Sequence, residues 1–511
     1  MASVCRADTV EPEIRYLPLN LRTCLILTLK HNLLLADLRL SPEIDQTKIL
    51  QEEAVFDPTL SAQGDYKESR TPRASRLFGT VFEEDQANTS LGISKKFASG
   101  ASTDLTVSNL RANDSSPFRV LKPSQNSTLA LKITQPLLKN FGWEVNETDI
   151  KIALNQRKGS ILALKDSVIK ELHKTVKLYW DLVFAYQNKQ VKEVLLKQAR
   201  GLLEMNRAKV ALGVLAPIVI TEARAGIASR QEAIILAEAG IRDIVDQLLA
   251  QTNLAGDSWD FLIKPEDKPT SVQANADLKD MLEKAFQYRP DYLSLLLDLK
   301  TRDFRIRYYD NQQNPELDLY GSFGYTGLSD DFGDSWDNLS RFNYPGWSVG
   351  LNASYPLGNR KSSGLYLQRR LEKQQAEIRI KRLKQTVMLE VRKAFRQLKS
   401  GWKRIQATLV SRQLEKEKLH IELEKLKLGK STSQRILDFQ SDLAEAKINY
   451  LQAVIDYNKS LSDLYKTSGT LLSKYNIDIS QPVENIDIST LSEAADQRDS
   501  TGSTGGSDAG R

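Results

Sequence analysis

The chain has 511 residues, of which 41 % are hydrophobic and 27 % are charged, and its 71 basic and 65 acidic residues give a net charge of +6. Two cysteines and three histidines exclude a disulfide scaffold and a four-cysteine zinc site, and they leave little material for metal or acid–base chemistry. No apolar stretch reaches the roughly 18–20 residues of a membrane helix, which excludes a helical membrane protein and leaves a transmembrane β-barrel open.

The N-terminal segment, residues 1–20, contains no apolar core of the kind that a signal peptide needs. Cys5 follows Ala2-Ser3-Val4, which faintly resembles a lipoprotein cleavage box, but no apolar region precedes it. We therefore expect Cys5 to be an ordinary free thiol, and an exported protein would need a signal that this segment does not show.

Two strands are predicted over 57–67 and 126–135, after a helix that begins near residue 21. In both strands apolar and polar residues alternate, which places one face against an apolar phase and the other against water. A turn-rich stretch between them predicts an added β-hairpin over 91–110. The apolar positions of the second strand are Leu129, Leu131 and Ile133.

A long helical hairpin is predicted next. Good helix formers fill the window between Pro136 and Pro217, where no proline interrupts them, so the pattern predicts a helix over 147–209. Gly213 predicts a tight turn, because glycine suits the left-handed residue after a helix and proline suits the first turn of the next one. A second helix then runs back along the first.

The second half of the chain repeats this order. Strands are predicted over 316–326 and 346–355, followed by a helix over 361–426 and a turn at Gly429. The apolar strand positions are Leu317, Leu319, Val349 and Leu351.

The repeated order indicates an internal duplication. A shift of 257 residues aligns Pro58 with Pro315, and a shift of 216 aligns Gly213 with Gly429. The predicted organisation is an N-terminal segment over 1–20, a first repeat over 21–255, a linker over 256–274, a second repeat over 275–470 and a polar, partly disordered tail over 471–511.

Four core strands in one chain cannot close a barrel around water, whereas three copies would supply twelve, which is wide enough for a channel. The same alternation also fits an antiparallel sheet packed on a core. The strand pattern by itself leaves both interpretations open.

Four motifs carry a resemblance to a known family. Ser127–Gly142 and Val349–Gly358 resemble the strand-exit motifs of the TolC-like outer membrane efflux proteins, and Ala211–Ala216 and Lys427–Thr432 resemble their two periplasmic turns. The resemblance covers roughly 21–470. It implies a mainly α fold with β structure, in which an internally duplicated helix–strand–strand–helix repeat builds a trimeric transmembrane β-barrel, continued by a long periplasmic α-helical barrel.

The resemblance also implies a function. A protein of this kind is the passive exit duct of the outer membrane for efflux or secretion, driven by an inner-membrane pump with a periplasmic adaptor (membrane fusion) protein. The implied partners are two further copies in a homotrimer, the adaptor, the inner-membrane transporter and outer-membrane lipid, with no nucleic acid. No catalytic, cofactor-binding or metal-binding residues are predicted, since the sequence contains no phosphate-cradling glycine loop, no nucleophile elbow and no histidine pair at metal-ligand spacing. His173 is interpreted as a surface or seam residue of a helix.

Three sets of site residues follow from the resemblance. The apolar strand positions named above are expected to face lipid. Asp438 is expected to line the periplasmic entrance, with Arg435 one helical turn before it, near enough for an i,i+3 contact. Either Arg435 pairs with Asp438 of a neighbouring protomer and latches the closed state, or the two residues form successive rings of opposite sign. The turns expected to dock the adaptor are Gly213, Val214, Leu215, Ala216, Gly429, Lys430, Ser431 and Thr432.

An alternative is a soluble coiled-coil scaffold with a small β-domain that binds partners through helix faces. Apolar residues at Ala444, Ile448, Leu451 and Ile455 recur in steps of four and three, as such a seam requires. A membrane duct needs detergent to stay soluble once exported, and a scaffold does not.

Overall fold

The computed structural model describes residues 15–73, 81–116, 118–254, 259 and 261–477. The predictions for the N-terminal segment up to residue 14, for part of the linker and for most of the tail lie outside these residues. The chain forms two compact units, and each draws on both halves of the sequence. The helical unit comprises the described residues of 1–40, 161–294 and 381–511, and the sheet unit comprises those of 41–160 and 295–380.

Helices account for most of the described chain. Two of them, α4 and α9, run for 64 and 68 residues, because their sequences are rich in good helix formers and contain no proline. Among the helices of the described residues, none combines the length and the apolar character that crossing a membrane requires. The helices are α1 (Leu21–His31), α2 (Leu33–Glu53), α3 (Trp143–Asn146), α4 (Thr148–Ala211), α5 (Ile218–Thr252), α6 (Leu278–Tyr288), α7 (Pro290–Asn311), α8 (Phe332–Ser340), α9 (Arg360–Lys427), α10 (Ser433–Thr467) and α11 (Leu471–Lys474).

The strands form two sheets. A small parallel pair joins β1 to β6, and an antiparallel sheet of six strands has the order β2-β3-β4-β5-β7-β8. The hairpin predicted over 91–110 is therefore part of the main sheet, and one chain supplies six strands to it where the duplication alone predicted four. The strands are β1 (Arg15–Leu19), β2 (Thr59–Pro72), β3 (Val81–Lys96), β4 (Ser102–Asp114), β5 (Ser124–Pro136), β6 (Phe261–Pro265), β7 (Glu316–Ser329) and β8 (Pro345–Ser354).

The main core of the helical unit lies between α1, α4, α5 and β6. Leu25, Leu172, Val176 and Leu248 are completely or almost completely buried there. A second core joins α6 to α9 and α10, where Tyr457 is buried with aliphatic side chains of both long helices. Burial of these apolar faces stabilises helices whose isolated seams are too irregular for a simple two-stranded coiled coil.

Two buried tyrosines hold the segment that joins the halves of the chain. The hydroxyl of Tyr179 donates a hydrogen bond of 2.8 Å to the Asp267 carboxylate, which also accepts 2.6 Å from the backbone of Leu21 at the start of α1. The hydroxyl of Tyr457 donates to the Val272 carbonyl at 3.1 Å and accepts from the Ala274 amide at 2.7 Å. The linker is thus fastened to α4 and to α10 by side chains that are themselves buried.

His173 lies buried at the contact between α4 and α10, with only 5 % of its surface exposed. Its Nε2 lies 2.9 Å from Asp463 and its Nδ1 lies 3.0 Å from the Ser462 hydroxyl, while Lys177 contacts the same carboxylate at 2.9 Å. Burial lowers the pKa of His173 in spite of the carboxylate. Burial alone would raise the pKa of Asp463, but the hydrogen bonds from His173 and Lys177 lower it to about 2.

The lowered pKa of His173 predicts a loss of stability on mild acidification. Below the ordinary histidine pKa of about 6.5, the unfolded chain binds a proton that the folded site resists, so this contribution is present at higher pH and is lost as the pH falls through that value. One such group changes the free energy of unfolding by at most about 1.4 kcal/mol per pH unit. His173→Gln should flatten the dependence between pH 7.5 and 5.5, measured as the thermal unfolding midpoint.

The matched control is His420→Gln on α9, because His420 is exposed. That variant should keep the wild-type slope. A wild-type slope in His173→Gln would contradict the assignment of the titration to this buried cluster.

Candidate functional site

One face of the six-stranded sheet is apolar and open. The pairing register aligns one large apolar residue from every strand in a single row across the sheet. All six side chains are exposed, from 38 % at Leu131 to 78 % at Trp347. The row consists of Leu60, Ile93, Leu105, Leu131, Phe323 and Trp347. An exposed, continuous apolar row of this length is a surface that water does not favour.

The opposite face of the sheet is polar. The hydroxyls of Ser322 and Ser348 lie 2.7 Å apart on the neighbouring strands β7 and β8. The Asn88 side-chain amide of β3 donates a hydrogen bond of 3.1 Å to the Asp65 carboxylate of β2. Since the residues of a strand alternate between the two faces, the separation of apolar and polar residues is complete over the middle of the sheet. Such a sheet fits between an apolar phase and water.

The apolar band has an upper limit. Beyond Tyr66 on β2 the same face carries charged residues, where Arg111 lies 3.4 Å from Asp85 and Arg70 lies 3.5 Å from Glu83. On β7, the positions of this face from Leu317 to Tyr325 span roughly 26 Å along the strand at about 3.3 Å per residue. A band of this height is close to that of outer-membrane strands.

The short helix α8 covers the sheet just above the band. The Ser335 hydroxyl of α8 lies 2.8 Å from that of Ser127, which is completely buried on β5. On β7, a Cβ at Gly327 would overlap the carbonyl oxygen of Ser335, so only glycine permits this contact. Small residues therefore occupy the strands where α8 packs, and large apolar residues occupy the open band.

All seven strand positions that were predicted to be apolar lie on this face. Leu131, Ile133, Leu319, Val349 and Leu351 are exposed in the single chain, whereas Leu129 and Leu317 are half-buried. The contributions of β3 and β4 to the row were not among the predicted positions. Alternation of Leu91 and Ile93 with serine and glycine was the pattern that could have found them.

The two edges of this sheet, β2 and β8, each pair with one neighbour within the described chain. Their outer N–H and C=O groups are therefore not used by the sheet itself. An open edge of 14 residues on β2 and of 10 residues on β8 can accept a further strand from another chain.

The helical hairpins end in two turns with the same backbone geometry. Gly213 has a φ of +74° and its amide bonds to the Val210 carbonyl, while the Val214 amide bonds to that of Lys209 at 2.9 Å. Gly429 has a φ of +72°. Its amide bonds to the Leu426 carbonyl, and the Lys430 amide bonds to the Lys425 carbonyl at 2.8 Å. Both turns are Schellman motifs, in which a left-handed glycine closes the helix.

The tips of both turns are exposed and partly apolar. Leu212, Val214 and Ile218 are 78 %, 67 % and 59 % exposed on the first turn, and Leu428 is 73 % exposed on the second. Of the remaining predicted turn residues, Ala216, Lys430 and Thr432 are exposed, whereas Leu215 and Ser431 are half-buried.

Side chains next to the second turn hold it to the first hairpin. Ser433 donates a 2.7 Å hydrogen bond to Asn206, which is buried on α4, and Leu437 packs against Ala199 and Leu202. The Thr432 hydroxyl caps α10 by accepting from the Arg435 amide at 3.3 Å. The two tips are therefore fixed with respect to each other within the helical unit.

The predicted entrance residues have partners other than each other within the chain. Arg435 Nε lies 3.5 Å from Glu422 on α9, and Asp438 accepts 3.0 Å from the Gln434 side chain. Glu422 is buried, and the Ser431 hydroxyl donates 2.7 Å to it, which lowers the pKa of this carboxyl. Both Arg435 and Asp438 are exposed, so each can still contact another molecule.

Comparison with solved structures identifies the fold. The chain superposes on the CmeC outer membrane channel of Campylobacter jejuni with a TM-score of 0.60 at 17 % identity, over 93 % of this chain and 89 % of that one. It superposes on the MtrE outer membrane channel of Neisseria gonorrhoeae with a TM-score of 0.61 at 18 % identity, over 92 % and 96 %. The outer membrane protein VceC of Vibrio cholerae gives 0.62 at 14 % identity, over 88 % and 96 %.

Residues 281–470 match the family model of the outer membrane efflux proteins. This match and the structural neighbours confirm the resemblance to that family predicted from the sequence motifs, and a helix-rich fold with β structure is confirmed as well. No curated protein matches the chain in sequence. Within the described ranges, no group of three histidine, cysteine or acidic side chains is placed to hold a metal ion.

Proposed function

We propose that the protein is a protomer of an outer-membrane exit duct for efflux or secretion. Three copies form a barrel in the outer membrane from their sheet units, and their helices line a path through the periplasm. The observation that carries this proposal is the open apolar face of the sheet, which requires an apolar phase. The match to the outer membrane efflux proteins supports it independently.

The trimer follows from the edges of the sheet. In lipid, every backbone polar group needs a hydrogen-bond partner, so a spanning sheet closes into a barrel. The free edges β2 and β8 meet this requirement when β8 of one copy pairs with β2 of the next. In such a ring, the row through Leu60 and Trp347 faces lipid and the side with Ser322 and Asp65 faces the water-filled lumen.

The duct is passive and is not an enzyme. An inner-membrane transporter supplies the energy, and the duct supplies a continuous polar path and an entrance that can close. A soluble coiled-coil scaffold is less favoured, because in water it would expose the six aligned apolar side chains of the sheet to solvent.

The helical turns are the proposed contact with a periplasmic adaptor protein. Leu212, Val214 and Leu428 supply exposed apolar contacts at the tips, and the fixed Schellman geometry presents them in one arrangement. Arg435 and Asp438 lie in the first two turns of α10, shortly after Gly429, and form the proposed entrance. In a trimer, three copies of Asp438 focus a negative potential at the opening, while Arg435 exchanges between Glu422 and a neighbouring protomer.

Neighbouring positions on β8 test the orientation of the sheet. Leu351→Arg places a cation on the proposed lipid face and should lower the free energy of unfolding by about 2–4 kcal/mol if it lies near the bilayer midplane. Asn352→Arg places the same side chain on the proposed lumen face and should cost far less. The measurement is denaturant unfolding of the protein reconstituted in lipid vesicles. Equal losses for the two variants would show that the faces or their environments are wrongly assigned.

Gly429 tests the docking of the adaptor. Its site has room for a side chain, since a Cβ would meet no atom within 4 Å, so a substitution acts through the positive φ. Gly429→Val should disrupt the turn, leave the trimer in the membrane and abolish both export and co-purification of the adaptor. Gly429→Asn, which tolerates the left-handed conformation, is the matched control and should keep both. Adaptor binding that persists in Gly429→Val would contradict a docking role for this turn.

A further inference from the structure

The hairpin of β3 and β4 is built into the wall of the sheet. β3 pairs with β2 at 14 positions, from Thr59 opposite Ser94 to Pro72 opposite Val81. β4 pairs with β5 from Ser102 opposite Thr134 to Ala112 opposite Ser124. The two strands therefore separate β2 from β5, which would otherwise be neighbours in a four-stranded sheet.

The hairpin keeps the two faces of the sheet intact. Ile93 and Leu105 stand directly between Leu60 and Leu131 in the apolar row, and both are exposed like their neighbours. On the opposite face, Ser90 and Ser108 are paired residues of the same hairpin. An appended hairpin that packed outside the wall would bury one of these faces against the sheet.

The direction of the strands is preserved as well. β5 runs antiparallel to β4, and it would run antiparallel to β2 if the inserted pair of strands were absent. The direction of β5 is therefore the same in both sheets. The connections at both ends of the wall can therefore stay where a four-stranded sheet would have them.

The lower end of the hairpin is anchored to the chain that leaves the sheet after β5. The Ser99 carbonyl in the hairpin turn accepts 3.0 Å from the Gly142 amide. A Cβ at Gly100 would overlap the carbonyl oxygen of Asn140, so the turn packs directly on the backbone of this exit segment. The Asn146 side chain donates a hydrogen bond of 2.8 Å to the same Asn140 carbonyl, and this bond holds the exit segment in place.

We infer that the hairpin enlarges the barrel, so that the three-chain ring has eighteen strands and a correspondingly wide lumen. This inference rests on the proposed function. Three sheets of six strands make eighteen, whereas the four strands without the hairpin would make twelve. Because barrel diameter grows roughly linearly with strand number, the ring is about one and a half times as wide as a twelve-stranded one.

The width sets the class of cargo that the barrel passes. Barrels of about 16–18 strands enclose an open aqueous channel. The outer-membrane part of this duct therefore admits solutes of larger cross-section than a twelve-stranded ring would, and the selection of cargo falls to the periplasmic entrance.

A deletion that removes only the inserted strands tests the inference. Replacing Glu68–Pro123 by Asn-Gly joins β2 to β5 through a two-residue hairpin turn and brings Leu60 opposite Leu131, so the faces stay in register. The control, Ser90→Ala with Ser108→Ala, trims the lumen face of the hairpin and keeps all six strands. Each protein is purified in detergent and its barrel is resolved by electron cryo-microscopy. Exclusion of polyethylene glycols of graded size from the barrel side, in planar bilayers, measures the lumen.

Wild type and the control should both show eighteen strands. The deletion variant should show twelve and a polymer cut-off radius about one and a half times smaller. A wild-type trimer with a twelve-stranded ring and the hairpin outside it would overturn the inference and leave the exit duct standing. A wild-type protein that forms no closed trimeric barrel would overturn the proposed function itself. Should the deletion variant fail to assemble, the wild-type strand count decides alone.

Discussion

The structure depends on the six-stranded sheet, which leaves two requirements unmet within one chain. Its apolar band beside α8 is exposed, and no strand of the described chain pairs with the outer edges of β2 and β8. A single chain in water cannot satisfy either condition, because apolar surface and unpaired strand edges both favour association. Lipid on one side and two further copies at the edges satisfy both conditions together, and that is the physical basis of the proposed duct.

The helical unit meets its requirements in a different way. Its seams are buried within the chain, as at Val176, Leu248 and Val391, and its hairpins are closed by glycines at positive φ. Buried polar groups there have specific partners, such as Tyr179 on Asp267 and Tyr457 on the linker backbone. The helices are thus largely self-sufficient, whereas the sheet is not, so the strands govern the proposed assembly.

Much of the fold could be predicted from the sequence because local patterns determine it. Proline-free windows and left-handed glycines predicted the long helices and their turns, and period-two alternation predicted which face of β5, β7 and β8 is apolar. The place of the added hairpin could not be predicted in this way. Its position between β2 and β5 in the sheet is set by long-range backbone pairing, and a comparison of the two predicted repeats gives only the length of the insertion.

Contacts between residues far apart in sequence were also beyond local patterns. Spacing placed Arg435 within reach of Asp438, but it did not predict that the turn brings Glu422 of the preceding helix to Arg435 within one chain. His173, interpreted as a surface or seam residue, lies buried against Ser462 and Asp463, which are nearly 300 residues away in the chain. Neither contact follows from a spacing or pattern in the sequence.

The most direct test of the account is the mass of the particle that the protein forms in detergent. Native mass spectrometry, after removal of the detergent in the gas phase, should give three times the 57.6 kDa of one chain, and the protein should aggregate when detergent is withdrawn. A monodisperse monomer with native secondary structure, stable in buffer without detergent, would contradict the claim that the open face and edges of the sheet are completed by lipid and by other copies.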